Sequence, residues 1–354
     1  MGRHILACSR VSIYVCENGL TSLERWSAQA SNYISGDPFM RRVVLIYNPA
    51  SGQLFRRRAV EIDRVLAILR AAGVEAEAQQ TEGPGSAAVQ ALEAVSQGYD
   101  AVLACGGDGT INEVLQSLVG TSVSLGVIPL GTANALAADL GLHTSPVEAA
   151  RRLLSATPVR VPVGRVFYQD AEGQTGSRYF TVAAGMGADG QFFSRLDARL
   201  KRRFGYLMYL VEALYLWATH SFPLFQASIE TSETPMLRVE QASQLLAVRI
   251  SNFGGVVRNL VPGAALTNEK LCVLAFKTRS RLRYLRFIAA VLCGRHTYSR
   301  TIEFFNATSV ECAMLDGSEA QVFVEADGEL LGTLPARIEM APDAVTLLIP
   351  QGRQ

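Results

Sequence analysis

Between Val43 and Asn134 an apolar run gives way three times to a loop rich in glycine and small polar residues, and no other feature restricts the fold as much. Val43 to Ile46 leads into NPASG (Asn48, Pro49, Ala50, Ser51, Gly52), Ala101 to Ala104 into GGDGTINE (Gly106 to Glu113), and Leu125 to Ile128 into PLGTAN (Pro129 to Asn134). Runs this short and this uniformly apolar read as strands buried on both faces. Helical spacing fills the gaps. Leu54, Ile62, Leu66 and Leu69 run up to Gly73, and Ala88, Leu92 and Val95 up to Gly98, glycine being a common residue just past a helix end. Val74, Ala76 and Ala78 alternate as a further short strand. Strands and helices in alternation need crossover connections, which predicts an α/β fold with a doubly wound parallel sheet. Loops at the C-terminal ends of such strands are where open sheets hold ligands.

From about Val163 the pattern changes. Alternating segments at Arg178 to Ala183, Gln226 to Glu230, Leu245 to Ile250, Leu271 to Lys277, Gln321 to Glu325 and Thr346 to Ile349 predict a mainly antiparallel second domain. The expected organisation is therefore an α/β domain over 40–162 and a β-rich domain over 163–350, joined tightly with a cleft between them. Residues 1–39 carry no sustained period, and Met40 opens the first strand abruptly, so Met40 is the expected start of the folded protein.

The second loop has the chemistry of a phosphate site. Its glycines let backbone approach a phosphate, and Thr110 is placed to cap a helix with an apolar face of Ile111, Val114, Leu115 and Leu118. The free N–H groups and positive dipole end of that helix favour an anion. Asp108, set between glycines, is positioned to hold Mg²⁺ directly or through water. A lone glycine turn is weak evidence; three on successive strand ends, one of them acidic, are not. No G-x-x-x-x-G-K-[ST] occurs, which excludes a P-loop enzyme. Gly185, Gly187 and Gly190 spell G-x-G-x-x-G, but no strand with an acidic residue follows at the distance a dinucleotide fold needs.

Composition narrows the partners. With 33 basic and 32 acidic side chains there is no bulk charge to attract nucleic acid, and 49% hydrophobic against 18% charged residues marks a packed globular chain. The six cysteines show no Cys-x-x-Cys pair, so neither zinc nor a disulfide framework is expected and a cytoplasmic location fits. Phe204 to Ala218 is apolar but shorter than the roughly 18 residues of a membrane span, and it contains Glu212. Basic residues approach two apolar helical stretches: Arg199, Lys201, Arg202 and Arg203 before Tyr206 to Trp217, and Lys277, Arg279, Arg281, Arg283 and Arg286 leading into LRFIAAVLCGR. Such segments suit peripheral attachment to an anionic membrane surface, or they are ordinary core with a solvated rim. Near the C-terminus, VEADGE sets two carboxylates, Asp327 and Glu329, around a glycine. On position alone a D-G hairpin turn is the plainer meaning.

NPASG, GGDGTINEV, GVIPLGTANALA, YFTVAAGMGADG and VEADGE together resemble the diacylglycerol kinase catalytic-domain superfamily, in its bacterial type, over Arg42 to about Pro350. The resemblance implies an ATP-dependent lipid kinase with an α/β nucleotide domain and a β-sandwich-like domain. It implies nucleotide contacts at Asn48, Pro49, Ala50, Ser51, Gly52, Thr81, Gly107, Asp108, Gly109, Thr110, Ile111, Asn112, Glu113 and Thr132. Glu329 becomes the proton acceptor, Asp327 the supporting carboxylate, with the reverse order open, and Asp108 a third catalytic group. The partner implied is a lipid acceptor, diacylglycerol or a sphingoid-type lipid; the basic helical stretches add an anionic membrane surface, and a second copy of the chain is a further expected partner. Kinases of NAD and sugar phosphates share GGDG but not the PLGTANALA loop. A regulatory nucleotide binder without transfer activity is the alternative of another class; the intact DGE argues against it. One departure stands out: members carry Asp-Gly at an accessory Mg²⁺ site after P-x-A-x-L, whereas PGAALTNEKL has Asn268 and Glu269 there. Either that metal is lost or Glu269 holds it differently.

Overall fold

The computed structural model describes residues 40–51, 58–187, 219, 221–231, 238–254, 257–295 and 302–351. The segment 1–39, Gly52, Leu54 and the basic and apolar stretch 199–218 lie outside the described residues. Strands β1 (Arg42–Tyr47), β2 (Glu75–Gln80), β3 (Ala101–Gly106) and β4 (Ser124–Pro129) form a parallel sheet in the order β4-β3-β1-β2. β3 and β4 are buried at every position, as their unbroken apolar runs require. Their faces are covered by two helix pairs, α1 (Arg58–Ala71) with α5 (Pro146–Leu154) and α2 (Ser86–Ser96) with α3 (Asp108–Leu118). α1 buries Ile62, Val65, Leu66 and Leu69, and the chain leaves it through Gly73 at φ 83°, a left-handed conformation that glycine adopts without strain. A short helix, α4 (Ala135–Asp139), follows the third loop.

The remainder is antiparallel, as the alternating segments predicted. It comprises β5 (Thr157–Gln169), β6 (Thr175–Phe180), β7 (Ala183–Met186), β8 (Phe225–Glu230), β9 (Arg238–Ala242), β10 (Gln244–Val248), β11 (Leu271–Phe276), β12 (Ile302–Ala307), β13 (Ser309–Met314), β14 (Phe323–Ala326) and β15 (Glu329–Ile349). Helix α6 (Arg281–Leu292) lies between β11 and β12. Phe180, Phe225, Leu271, Val324 and Ile338 centre its core. Among the described residues no helix is long and apolar enough to cross a membrane.

Two elements differ from the sequence pattern. Arg178 to Ala183 reads as one strand but is split between β6 and β7, because the N–H groups of Thr181 and Val182 leave the ladder and turn onto the carboxylate of Asp327. β15 runs far beyond the Thr346 to Ile349 pattern. Its pairing with β5 slips between Thr333 and Arg337 and between Ala341 and Val345, at Pro335 and Pro342, and such irregularities erase the period of two. At Thr346 and Leu347 this strand lies parallel to β4, so one strand serves both halves of the chain. Gly185 sits inside β7 between β14 and β10, an antiparallel setting, and Gly190 lies outside the described residues.

Candidate active site

The three glycine loops meet at the C-terminal ends of β1, β3 and β4. In the first, Ser51 N–H donates to Asn48 O (3.2 Å) and Ala50 N–H to Asn48 Oδ1 (2.8 Å), while the Asn48 amide lies 3.5 Å from Thr110 Oγ1. Thr81, buried at the end of β2, donates its N–H to Tyr47 O. In the third loop, Leu130 and Gly131 both donate N–H to Gly106 O. Asn134, at φ 50°, closes the loop by accepting from Gly131 N (3.0 Å) and donating to Gly131 O (2.8 Å). Thr132 is exposed at the tip. Any Cβ on Gly131 would stand 2.5 Å from Gly107 Cα, so the second and third loops touch through glycine backbone. Arg58, buried at the start of α1, donates to Ser51 O (3.1 Å) and Leu130 O (2.9 Å) and pairs with Glu61. It thereby ties the first loop to the third. Nothing in the sequence singles it out, since it is the last of three consecutive arginines.

The middle loop opens α3. The helix starts at Asp108 with Gly107 as N-cap and no side chain capping it, rather than at a Thr110 cap. The first-turn N–H groups of an α-helix have no partner within the helix, so this end presents donors and the positive end of the dipole. Asp108 accepts from Asn134 N (3.0 Å) and Ala135 N (2.8 Å), capping α4 and binding the third loop to the second. Ile111 is buried and gives its N–H to Gly107 O, which makes it core. Glu113 accepts from Ala87 N at the start of α2. Asn112 and Gln116 both donate to Tyr179 O in β6, and Asn112 also donates to Asp327 (3.1 Å), so α3 is bolted onto the second half of the chain.

The DGE segment is the D-G hairpin that position alone favours, and it brings its two carboxylates up to helix α3. Asp327 (φ 49°) and Gly328 (φ 82°) form a two-residue turn between β14 and β15, with Ala326 opposite Glu329. Five donors converge on the Asp327 carboxylate: the N–H groups of Thr181, Val182 and Ala183, the Thr181 hydroxyl and the Asn112 amide. Burial pushes this carboxyl upward from its ordinary range, and the backbone donors and Asn112 oppose that. With its lone pairs so occupied, Asp327 holds the turn in place. Glu329 is different. Its Oε2 takes one hydrogen bond, from Arg178 Nη2 at 2.6 Å, and its Oε1 lies against Gly109, where a Cβ would stand 3.4 Å away. Burial raises its carboxyl above the usual range; the Arg178 cation pulls the other way, and the charges of Asp327 and Glu113 add to the rise. Arg178 escaped the sequence reading because an arginine on the solvent-facing beat of a strand looks like any other.

Glu269 is exposed on the turn before β11, and among the described residues no three His, Cys, Asp or Glu side chains gather to hold a metal.

Residues 42–166 match the family model described as the diacylglycerol kinase catalytic domain, and residues 181–349 match the YegS C-terminal NAD kinase beta sandwich-like domain. Over 300 residues the chain is 27% identical to the diacylglycerol kinase of Bacillus subtilis (strain 168), covering 84% of this chain and 92% of that one. Over 298 residues it is 28% identical to the diacylglycerol kinase of Staphylococcus saprophyticus, covering 83% and 91%. A crystal structure of a diacylglycerol kinase from Bacillus anthracis str. Sterne shares the fold, with a TM-score of 0.67 over 88% of this chain and 98% of that one at 22% identity. Matched in succession by both domain models, with the glycine loops and the DGE turn brought to one place, the chain belongs to the diacylglycerol kinase catalytic-domain superfamily.

Proposed function

We propose that this chain is an ATP-dependent lipid kinase whose acceptor is diacylglycerol or a close relative, with Glu329 as the group that takes the proton from the acceptor hydroxyl. One observation carries the reading: the Glu329 carboxylate lies against Gly109, in the uncapped first turn of α3, where phosphate would bind. The residues fit that ligand. Two loops meet through glycine backbone, Thr132 is exposed beside them, and Asp108 stands at the helix start. Mg²⁺, when bound with the nucleotide, offsets the charge on the transferring phosphoryl group, with Asp108 in position to hold it through water.

The chain's own residues then divide the work. Helix α3 orients the phosphates. Arg178 favours the carboxylate form of Glu329, opposing the burial that favours its neutral form. Asp327 fixes the turn through the backbone of Thr181 to Ala183 and through Asn112, the latter on α3 itself, so the base and the phosphate site keep one distance. The acceptor hydroxyl gives its proton to Glu329, its oxygen forms the new P–O bond, and the bond to the departing nucleoside diphosphate breaks. The curated relatives named diacylglycerol kinase support the acceptor class.

Helix α6 supports contact with an anionic bilayer. Tyr284 and Phe287 are buried while Leu282, Leu285 and Ile288 are exposed at 64, 41 and 48%, beside exposed Arg283 and Arg286. The deciding experiment incubates purified protein with labelled ATP, Mg²⁺ and a panel of lipids in detergent micelles. Transfer to diacylglycerol, reduced by roughly 10²-fold in kcat by Glu329→Gln with ATP affinity retained, is expected. Transfer to a sphingoid base instead reassigns the acceptor, and ATP binding without transfer to any lipid refutes the kinase reading.

A further inference from the structure

The turn between Val261 and Lys270, where the family resemblance implies an accessory Mg²⁺, already contains a cation. Arg249 follows β10 in the apolar run LLAVRI and is 1% exposed. Among the described residues no carboxylate pairs with it. A buried guanidinium without a counter-charge must be solvated by dipoles. Here Nη1 donates to Asn268 O (2.7 Å), and Nη2 donates to Leu266 O (2.6 Å) and to Pro162 O (2.7 Å) in β5. Met340 Sδ lies 3.3 Å from Nη1, and Nε is buried without a partner. Several carbonyl oxygens aimed at one positive centre are the donor set that a hard divalent ion takes in a loop.

The residues of the turn do not fit a metal. The carbonyls of Leu266 and Asn268 are spent on the guanidinium. The Asn268 amide nitrogen is turned inward to Gly263 O (2.6 Å) and Cys272 Sγ (3.3 Å), and Glu269 is exposed. We propose that Arg249 is the resident cation of this turn, a side chain that does internally what a bound divalent ion would do, and that the turn binds no metal. The arrangement reaches the site through consecutive hydrogen bonds. Arg249 N–H donates to Val182 O (2.9 Å), and Val182 N–H donates to Asp327 Oδ1 (2.9 Å). Burial lowers the Arg249 guanidinium to about 10, still charged at neutral pH, with the neighbouring Cys272 and Asp327 opposing that fall when they ionise.

The test follows thermal unfolding of the full chain without nucleotide, in EDTA and in millimolar MgCl₂, so it is independent of whether the protein proves to be a lipid kinase. The wild type and Glu269→Gln should each unfold at the same temperature in both buffers, within about 1 °C, since a ligand that binds only the folded state would raise it. Arg249→Met should unfold roughly 5 °C or more below the wild type. A Mg²⁺-dependent rise in the wild type that Glu269→Gln removes would overturn the proposal, as would Arg249→Met with wild-type stability. Should Arg249→Met fail to fold, Arg249→Lys, which keeps the charge and loses the planar fork, should still show a lowered unfolding temperature.

Discussion

Replacing Arg178 by glutamine tests the assignment of Glu329 through the sign of a pH effect. A proton acceptor works only when ionised, so its pKa sets the acid limb of kcat/KM. In the wild type burial favours the neutral acid and the Arg178 cation favours the carboxylate. Charge-assisted hydrogen bonds of this kind are worth about 1.5–3 kcal/mol when enclosed. The two side chains are 25% and 35% exposed, so solvent screening leaves about 1 kcal/mol, or about a fivefold change in the ratio of ionised to protonated Glu329. Arg178→Gln therefore moves the acid limb to higher pH. The variant loses about fivefold in kcat/KM below the limb and little on the alkaline plateau. The assay is the pH profile of kcat/KM with labelled ATP and a short-chain acceptor in neutral micelles. An acid limb that stays in place or moves to lower pH would refute the view that Glu329 titrates as the base under the influence of Arg178.

Three further outcomes follow from the same geometry. Asp327→Asn should lower the unfolding temperature by roughly 5 °C or more along with activity, because an amide group cannot accept from the five donors that now converge on the carboxylate; wild-type stability with lost turnover would give Asp327 a direct chemical role. Asp108→Ala should cut kcat by roughly 10²-fold and weaken the fold by about 1 kcal/mol, the cost of a lost helix cap at Asn134 and Ala135; near-normal turnover would remove it from the site. Changing exposed Leu282, Leu285 and Ile288 to serine should leave the melting temperature unchanged and reduce co-sedimentation with phosphatidylglycerol vesicles several-fold; undiminished sedimentation would return that face of α6 to solvent.

The sequence by itself determined the parallel half. Burial on both faces leaves an unbroken apolar run, a helix end leaves a glycine, and a tight turn with close backbone contact leaves several glycines, so β1, β3, β4 and their loops could be read locally. The D-G turn at Asp327 and Gly328 was legible for the same reason: a two-residue turn with both φ values positive tolerates few residues. What joins these pieces is long-range and leaves no local mark. Asn112 meets Asp327 across 215 positions and Arg178 meets Glu329 across 151, and the interruption at Thr181 and Val182 exists because a carboxylate far along the chain claims their N–H groups. Arg58 and Arg249 carry the lesson furthest. An arginine in a basic run and an arginine in an apolar run have no role until tertiary structure sets backbone carbonyls around them, Leu130 O beside Arg58 and Pro162 O and Leu266 O beside Arg249, because the cost of burying a charge is offset in part by dipoles brought from other parts of the chain.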